Sequence, residues 1–438
     1  MEDLPLPATN TVLSVTSAFP RVDNKIQIES SLKEATITSY ASYNSQLDGS
    51  LSQRFGEFVI HGSPNLINLS NLCLSVKGTI CKGDGTAYTI AENVMLTNNT
   101  MHSLIKSVTV HLNGTLVEST NNYAYNSMIK QLISLSNDDI SRSGECVGLF
   151  SLDKFKGETY SDLANLNEKL KNKMNSIKES GFDYYGPLHL DISSTHCYLA
   201  PSVEIQIKID LNDSAFVIGA STDVDRPKYL IKSMTLHVQH LAVRTNASLA
   251  LEKSMFTGNL CYPFRKFMSK TVLIGANQTM LSCENIYQGV IPACLYFVFL
   301  DLNAFSNKSY TTNKLHFHHR DLRNVKITVN NKVAYNIKSK FNHETTELYS
   351  TILQSLGGDG QSHLLKYDDW LNGCSVFAFN LNGEMLKGGI HPTMSGANLR
   401  LELELDKNDK NLVLYLLGEF QSSFEINHSR QVTLSSVV

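Results

Sequence analysis

A short run of residues carries part of a zinc-binding motif. His343 and Glu344 open the sequence HETTE, which begins like the HExxH motif, where two histidines one helical turn apart hold the metal. Glu347 stands where the second histidine is required. Carboxylates in the first turn of a helix, which the helix dipole stabilises, explain this run better. We therefore predict no zinc site here.

Three histidines in the sequence LHFHHR could also serve as metal ligands. His316 and His318 would lie on one face of a possible strand, with His319 beside them. Two imidazoles at this spacing could bind a divalent metal, but the segment has no nearby cysteine or pair of carboxylates. Exposed surface histidines are the interpretation that we favour.

The remaining candidates for catalysis are equally incomplete. The sequence GGDG at residues 357–360 lacks the Gly-Lys-Ser/Thr that completes a phosphate-binding loop. Cys261 and Cys294 lie in apolar surroundings, which predicts inert core thiols rather than nucleophiles. We predict that the chain is not an enzyme and that it has no catalytic residue, no metal and no cofactor.

Composition restricts the partners and the compartment. The formal net charge is -3, which provides no strong field to attract nucleic acid, so we expect no strong direct binding to DNA. Eight cysteines are spread along the chain without a Cys-x-x-Cys pair, which favours a reducing intracellular setting. The N-terminal sequence has no signal-peptide pattern, and no apolar run reaches the roughly 20 residues that cross a bilayer. We expect neither secretion nor membrane insertion.

The elements that must position any functional residue are mainly strands. From Arg54 onward the chain repeats runs of strand length, some alternating, such as VEIQIKIDL, and some wholly apolar, such as ACLYFVFLDL. Alternating runs suit sheets with one solvated face, and apolar runs suit strands buried on both faces. Residues 1 to about 50 are rich in Ser, Thr and Asn and predict an extended, weakly ordered arm. The predicted fold class is mainly β.

Two parts of the chain repeat one another. The run VTVHLNGTLV aligns with VKITVNNKVA, so that Val108 corresponds to Val325. Each run predicts a strand, a two-residue turn that favours positive φ, and a returning strand. Each is followed by a helical segment, from Tyr123 and from His343, with Asn122 and Asn342 as candidate N-caps.

A later strand repeats as well. The run VEIQIKIDLND aligns with LRLELELDKND, so that Val203 corresponds to Leu399. Hairpin and late strand lie further apart along the chain in the first copy, which therefore carries extra residues between them. The surplus lies in the charged stretch 151–182, where Leu163, Leu166 and Leu170 predict a short amphipathic helix in a surface insertion. Three repeated elements in one order indicate duplication rather than two unrelated β domains.

Two copies of an antiparallel unit with a helix after its hairpin fit two tandem jelly rolls, each an antiparallel β-sandwich. We predict an N-terminal arm over residues 1–52, a first jelly roll over 53–246 with the insertion 151–182, a connector over 247–262 and a second jelly roll over 263–438. Three such chains around a threefold axis would present six similar rolls with a nearly hexagonal outline. Hexagonal units can pave a shell.

Many ordered segments also resemble one protein family. They include VTVHLNGTLVESTNNYAYNSMI (108–129), VEIQIKIDLNDSAFVI (203–218) and GANLRLELELDKNDKNLVLYLLGEF (396–420). Together they resemble the hexon-like major capsid proteins of Polinton/Maverick-type elements and adintoviruses, whose more distant relatives are virophage major capsid proteins and adenovirus hexon. The resemblance covers everything after the arm. It implies a double jelly roll that forms homotrimeric, pseudohexameric capsomers in an icosahedral shell around double-stranded DNA.

The resemblance also implies partners and a location. The chain would contact its own copies, first within a homotrimer and then between trimers, and would meet penton and minor capsid or cement proteins. It would be made in the host cell interior and reside in the capsid shell of the virion. The sequence LKGG, which ends at Gly389, is similar to sites that adenovirus-like cysteine proteases cut in capsid precursors, but a glycine turn is the interpretation that we favour.

Turns and loops are the predicted contact regions of such a subunit. We expect intersubunit or exterior surfaces at the following turn residues: Asn113, Gly114, Asn121, Asn122, Asn330, Asn331, Gly388 and Gly389. The alternative function is a glycan-binding double β-sandwich attachment protein, which would need an exposed aromatic platform. The sole tryptophan, Trp370, lies in a DDW turn, and no regular aromatic ladder is visible.

Overall fold

The structure, a computed structural model, describes residues 32–41, 55–90, 92–150, 157–160, 168–341, 343–356, 365–381, 394–395 and 398–435. Its strands fall into two sets that follow one another along the chain. The strands of the first set are β1 (Leu32–Ala41), β2 (Phe55–Ile60), β3 (Leu66–Cys81), β4 (Val94–Leu96), β5 (Ile105–Leu112), β6 (Thr115–Asn121), β7 (Phe182–Pro187), β8 (Tyr198–Leu199), β9 (Ile205–Leu211), β10 (Ile218–Ala220) and β11 (Lys228–Val243). The strands of the second set are β12 (Leu260–Ile274), β13 (Met280–Cys283), β14 (Val290–Ile291), β15 (Cys294–Asp301), β16 (Leu322–Val329), β17 (Lys332–Lys338), β18 (Phe377–Asn380), β19 (Met394–Ser395), β20 (Leu399–Leu405), β21 (Leu412–Ile426) and β22 (Val432–Ser435).

Helices connect the strands. The α-helices are α1 (Thr100–Ser103), α2 (Tyr123–Ser134), α3 (Asn137–Asp139), α4 (Glu145–Val147), α5 (Glu168–Ser180), α6 (Ser214–Val217), α7 (Thr245–Thr257), α8 (Leu302–Phe305), α9 (Thr346–Ser355) and α10 (Tyr367–Leu371). A π-helical turn spans Ile140–Gly144, and a 3₁₀ turn spans Ile192–Ser194. Among the described residues, no helix is long and apolar enough to cross a membrane.

Each set of strands builds a sandwich with the same strand order. In the first, a sheet of order β2-β9-β5-β6 packs with a sheet of order β1-β11-β3-β7, to which β8 adds by pairing with β3. In the second, the corresponding orders are β13-β20-β16-β17 and β12-β21-β15-β18, with β22 paired to β21. The pairs β10-β4 and β14-β19 form separate two-stranded sheets, one in each roll. The chain is a double jelly roll, as predicted, and the two sandwiches are called the first roll and the second roll below.

The alternation of side chains explains which strands face the core. In β9, Ile205, Ile207 and Ile209 are buried, whereas Lys208 between them is exposed. Strand β15 lies between β18 and β21, and all of its residues except Asp301 are buried. The two sequence patterns therefore separate half-solvated from fully buried strands, as expected. One continuous hydrophobic core runs through both rolls.

The duplicated hairpins match in detail. The β5–β6 hairpin has a bulge between Val110 and His111, and the β16–β17 hairpin has one between Ile327 and Thr328. The sequence repeat that aligns Val108 with Val325 also aligns Val110 with Ile327. A shared bulge at a shared position indicates that both hairpins descend from one ancestral unit, because bulges are features retained within families.

The later strand was aligned two residues out of register. Val108 pairs with Ile209, and its counterpart Val325 pairs with Leu403. The structure therefore matches Ile209 with Leu403, whereas the sequence alignment matched it with Leu405, so the predicted alignment is wrong. A shift of two keeps every side chain on the same face of a strand, so alternation alone could not detect the error.

The predicted N-terminal arm is wrong for Leu32–Ala41. These residues form β1, which pairs antiparallel with β11 from Leu32 to Ala41. Strand β12 makes the matching antiparallel pair with β21 in the second roll. The segment is therefore the outermost strand of the first roll rather than part of an arm. Sequence reasoning missed this strand because most of its described side chains are exposed. Its Ser and Thr residues therefore show no pattern of alternating buried apolar residues.

The predicted surface insertion at 151–182 is wrong for its described parts. In α5, the side chains of Leu170, Met174 and Ile177 are buried in the core, and Phe182 is the first residue of β7. Tyr160 is also buried. Leu163 and Leu166 lie outside the described residues. Lys171 and Glu179 lie on the exposed face of α5, and charged residues of this kind are why composition suggested a surface position.

The helices after the two hairpins begin differently from one another. Helix α2 begins at Tyr123, as predicted, and Asn122 precedes it with a positive φ of 53° but no side-chain cap. Helix α9 begins at Thr346 rather than at His343, with Thr345 at its N-cap position, and Asn342 lies outside the described residues. The predicted connector at 247–262 contains most of α7, but its last residues already belong to β12, which begins at Leu260.

Candidate assembly surface

Helix α2 of the first roll lies against the second roll. The Tyr125 ring is 5.7 Å from the Phe305 ring and 5.6 Å from the Tyr415 ring, measured between centroids. The Tyr415 hydroxyl donates a 2.7 Å hydrogen bond to Asn126 Oδ1. Nine residues of α2 are buried. This helix therefore takes part in the contact between the rolls.

The segment 157–160 makes a second contact between the rolls. Thr159 forms an isolated antiparallel bridge with Thr312. The backbone N–H of Tyr160 donates to the Thr311 carbonyl at 2.8 Å, and the Tyr160 hydroxyl is 3.4 Å from Asn313 Oδ1. A stretch that composition assigned to the surface thus joins the two rolls through its backbone.

Glu158 adds an ion-pair network to this contact. Its carboxylate accepts from Arg320 at 2.9 Å and from Lys410 at 2.8 Å. Burial alone would raise the pKa of Glu158, but the hydrogen bond from Lys410 and the charge of Arg320 lower it to about 2. The carboxylate therefore stays ionised over the physiological range and holds both cations of the second roll.

First-roll side chains cover the free edge of β12. Asp191 Oδ2 accepts the backbone N–H of Phe267 at 2.8 Å, and Ser194 Oγ accepts the backbone N–H of Arg265 at 2.8 Å. Lys130 Nζ donates to Asp191 Oδ1 at 2.7 Å and lies 4.3 Å from the centre of the Phe267 ring. Edge strands expose unpaired N–H groups, so this capping leaves β12 unable to pair with another strand there.

A buried acid lies beside this ion pair. Glu118 accepts hydrogen bonds from the Ile192 N–H at 3.1 Å and from the Thr120 hydroxyl at 3.0 Å. Burial, and to a lesser extent the charge of Asp191, raises the pKa of Glu118 to about 7. The junction between the rolls therefore contains a carboxyl group that keeps its proton to higher pH than an exposed glutamate does.

Two stacked histidines extend the buried network. The rings of His102 and His189 are 4.2 Å apart, and the Tyr123 hydroxyl accepts the His189 backbone N–H at 2.8 Å. Burial lowers the pKa of His189 to about 3, and it lowers the pKa of His102 as well. Both imidazoles are neutral at pH 7, so the buried His102 and the partly buried His189 act as polar rather than charged groups.

A cleft of about 240 Å³ remains between the two rolls at this point. It is lined by residues of β6, of β12 and of two neighbouring segments: Val117, Glu118, Ser119, Thr120, Asn121, Asn126, Asp191, Phe264, Lys266, Phe267, Met268 and Ser269. Within the described part of the chain, no group of three or more His, Cys, Asp or Glu side chains could hold a metal ion. The arrangement is that of an interface with ion pairs and capped backbone groups.

The predicted turn at Asn113 and Gly114 has the expected backbone, with φ values of 46° and 78°. Asn113 Oδ1 accepts from the Glu204 N–H at 2.7 Å, which ties the turn to the start of β9. Asn113 Nδ2 donates to the Arg430 carbonyl at 2.6 Å, across to the second roll. The Arg430 guanidinium in turn contacts Glu252 in α7. The exposed turn thus also belongs to the junction.

The equivalent turn of the second roll repeats the positive φ values and the hydrogen bond between the side chain and the start of the neighbouring strand. Asn330 and Asn331 have φ values of 50° and 63°. Asn330 Oδ1 accepts the Asn398 N–H at 2.9 Å, as Asn113 does with Glu204. Asn121 is exposed and Asn122 is partly buried. Gly388 and Gly389 lie outside the described residues, as do residues 357–360, and an intersubunit role for all eight turn residues stays a prediction.

The histidines of LHFHHR are not exposed, so that prediction is wrong. His316 is buried, and the His319 ring stacks on Phe341 with centroids 4.0 Å apart. Burial lowers the pKa of His319 to about 3 and also lowers that of His318. The segment is a loop rather than a strand, and Arg320, which pairs with Glu158 at the junction, has a φ of 52°.

The HETTE run is not presented on one helix. His343 and Glu344 precede α9, in a turn where Glu344 bridges to Lys340. The spacing of one helical turn that a zinc-binding pair requires is therefore absent. Cys294 is buried, and burial raises the pKa of its thiol to about 12, as expected for an inert core cysteine. Trp370 is fully buried and its Nε1 donates to the Val376 carbonyl at 3.1 Å, which leaves no exposed face for a sugar.

Sequence reasoning missed the junction itself. One signal was available in α2, where Lys130 is the single charged residue of the run YAYNSMIKQLIS. A second was Glu118 on a β6 position whose counterpart in β17 is Tyr335. A charged group on a buried face needs a partner, but the sequence does not reveal that Asp191 and β12 supply it.

Two rolls of one strand order that meet at the junction define a double jelly-roll protein. No protein-family model matches the sequence, and no curated protein matches it. Solved structures do match. A chain of the Sputnik virophage, from a cryo-EM structure, aligns with a TM-score of 0.62 at 11% identity, over 93% of this chain and 89% of that chain.

Two further structures show the same likeness. The mavirus major capsid protein aligns with a TM-score of 0.56 at 10% identity, over 99% of this chain and 96% of that chain. The Faustovirus major capsid protein aligns with a TM-score of 0.54 at 8% identity, over 89% of this chain and 90% of that chain. At these identities the likeness establishes a shared fold along nearly the whole chain.

Proposed function

We propose that this chain is a structural major capsid protein that forms homotrimeric, pseudohexameric capsomers of an icosahedral shell around double-stranded DNA. The observation that carries the proposal is the duplication: two rolls of one strand order pack side by side through a shared core. Three chains would then present six similar rolls, which suits hexagonal tiling. The likeness to virophage and Faustovirus structures over nearly the full length supports the same role.

The narrower assignment within viruses is to Polinton/Maverick-type elements and adintoviruses. It is supported by the ordered sequence segments from residue 108 to residue 420 that resemble their hexon-like capsid proteins. In this role the chain catalyses no reaction. Its partners would be its own copies, penton proteins and minor capsid or cement proteins, and its place would be the virion shell.

The experiment is light scattering with negative-stain imaging of the purified full-length chain. We expect particles of three times the chain mass of 48.7 kDa, with a hexagonal outline, or closed shells. A chain that remains monomeric at every concentration tested would overturn the proposal.

The weak net charge leads to a second test. A chain with a formal charge of -3 should bind duplex DNA weakly, and its affinity should fall little as salt rises. Tight, salt-sensitive DNA binding by the purified trimer would contradict a shell whose other components neutralise the genome.

A further inference from the structure

The contact between the two rolls provides a template for a contact between chains. Within the chain, β6 and α2 of the first roll meet β12 of the second roll across the cleft described above. By the alignment of the two hairpins, β17 is the counterpart of β6, and α9 follows β17 as α2 follows β6. By sheet order, β1 is the counterpart of β12. The template therefore has two sides. The hairpin–helix side consists of β6 and α2, and the edge-strand side consists of β12.

The second roll leaves its hairpin–helix side open. Val117 on β6 is buried in the cleft, whereas its counterpart Ala334 on β17 is exposed. In α9 the buried residues are Leu348 and Ile352, against nine in α2. The same structural unit is thus covered in one copy and uncovered in the other.

The first roll leaves its edge-strand side open. Strand β1 ends its sheet, and no strand of the described chain pairs with its outer edge. The Ile37 side chain on β1 is 63% exposed, whereas Phe264 on β12 is 2% exposed. Capping by Asp191 and Ser194 protects the edge of β12 in the template. An uncovered edge strand with an apolar residue is a site for association with another chain.

We propose that β17 and α9 of one copy dock against β1 of the next copy, and so repeat between chains the contact that β6 and α2 make with β12 within a chain. The two open sides differ from one another, so the contact is head to tail. Three such contacts close a ring in which first and second rolls alternate and all six roll-to-roll contacts are alike. This inference rests on the proposed function, because it specifies the surfaces that build the trimer.

The test is photo-crosslinking of the full-length chain with a benzophenone amino acid at position 334. We expect crosslinked dimers and trimers whose linked peptides lie in residues 32–41 or in the adjoining strand β11, at 228–243, of another copy. The control carries the same amino acid at Val224, which is 82% exposed and lies on neither side of the template. That control should give no such product.

A matched pair of substitutions provides a second readout. Ile37→Glu should weaken trimer formation about tenfold or more, since it places a charge in the apolar part of the contact, whereas Val224→Glu should leave it unchanged. Circular dichroism should show both variants folded, because both side chains are exposed. Trimers that crosslink from position 334 to other regions, or that tolerate Ile37→Glu, would overturn the docking and leave the capsomer intact. A wild-type chain that never forms trimers would overturn the proposed function together with this docking.

Discussion

Helices α2 and α9 hold the same place in two copies of one fold, yet their surroundings differ. Helix α2 lies between the rolls, where Tyr125 contacts Phe305 and Tyr415. Helix α9 packs mainly on its own roll through Leu348 and Ile352. The comparison indicates that the jelly roll itself requires packing on only one face of this helix. Residues on the other face can differ between α2 and α9, because that face contacts different surroundings in the two rolls.

The outer faces of the four-stranded sheets diverge in the same way. In the second roll, Glu402 accepts from Lys326 at 2.8 Å and from Arg400 at 2.7 Å. In the first roll, Asp210 is 3.8 Å from Lys208 and accepts instead from the Ser107 hydroxyl at 2.7 Å. Inner positions of both sheets keep buried aliphatic residues. Duplication therefore preserved the core pattern and left the surfaces to vary.

The largest expected difference between the rolls is at the two tyrosines of these helices. Tyr125→Ala should lower the free energy of unfolding by about 3–5 kcal/mol, because it empties a fully buried site between the rolls. Tyr349→Ala on half-buried α9 should cost about 1–2 kcal/mol. Denaturant unfolding followed by Trp370 fluorescence measures both. Equal losses would mean that α2 is no more deeply integrated than α9.

The second difference concerns two lysines in ion pairs. Lys130→Met should cost about 3 kcal/mol, since it leaves Asp191 charged and buried without its partner. Lys326→Met should cost less than about 1 kcal/mol, because its pair with Glu402 is partly exposed to water. The same unfolding measurement applies. A small loss for Lys130→Met would show that water reaches Asp191 and replaces the amine.

The third difference is in how stability depends on pH. The junction contains the carboxyl group of Glu118, whereas the counterpart position in the second roll is Tyr335, which has no carboxyl group. Since the folded-state pKa of Glu118 is raised to about 7 from an ordinary value of 4.5, the folded state holds the proton more tightly than the unfolded state. This contribution to stability is present at low pH and is lost as pH rises from about 4.5 to 7. Glu118→Gln should therefore gain stability relative to the wild type, on the order of 1–3 kcal/mol, between pH 5 and pH 8.

Neighbouring titratable groups also change the stability of the wild type as pH changes. The quantity to compare is therefore the difference in unfolding free energy between Glu118→Gln and the wild type at each pH. His189 has a lowered pKa of about 3, and its contribution is lost as pH falls below about 6.5, in the opposite sense to that of Glu118. Both proteins contain His189, which cancels in the difference between them. A difference that stays constant from pH 5 to pH 8 would show that Glu118 does not change protonation there.

The smallest expected difference lies in the two turns. Asn113→Ala and Asn330→Ala each remove a side-chain cap and place alanine at positive φ. Asn113→Ala also removes the hydrogen bond to the Arg430 carbonyl, so it should cost about 1 kcal/mol more. Thermal unfolding of the two variants under one buffer condition decides this. Identical losses would show that the bond to Arg430 contributes nothing to stability.

Much of the fold was predictable because its signals are local. Alternation in VEIQIKIDL identified β9, and the Asn-Gly and Asn-Asn pairs identified two hairpin turns with positive φ. These features depend on a few neighbouring residues and on the period of a strand. The junction between the rolls was not predictable from the sequence, apart from the turn at Asn113 and Gly114 that takes part in it. Its apolar and charged members come from segments far apart in the chain.

The sequence by itself determined the mainly β class, the duplication, the two turns and the start of α2, because each follows from side-chain period or backbone preference at one place. Tertiary structure alone decided that Leu32–Ala41 form β1, that Ile209 of β9 corresponds to Leu403 of β20, and that Asp191 and Ser194 cap β12. Register, edge position and burial depend on which distant strand lies alongside. A pattern with period two is unchanged by a shift of two residues, so only packing can select among the registers that it allows.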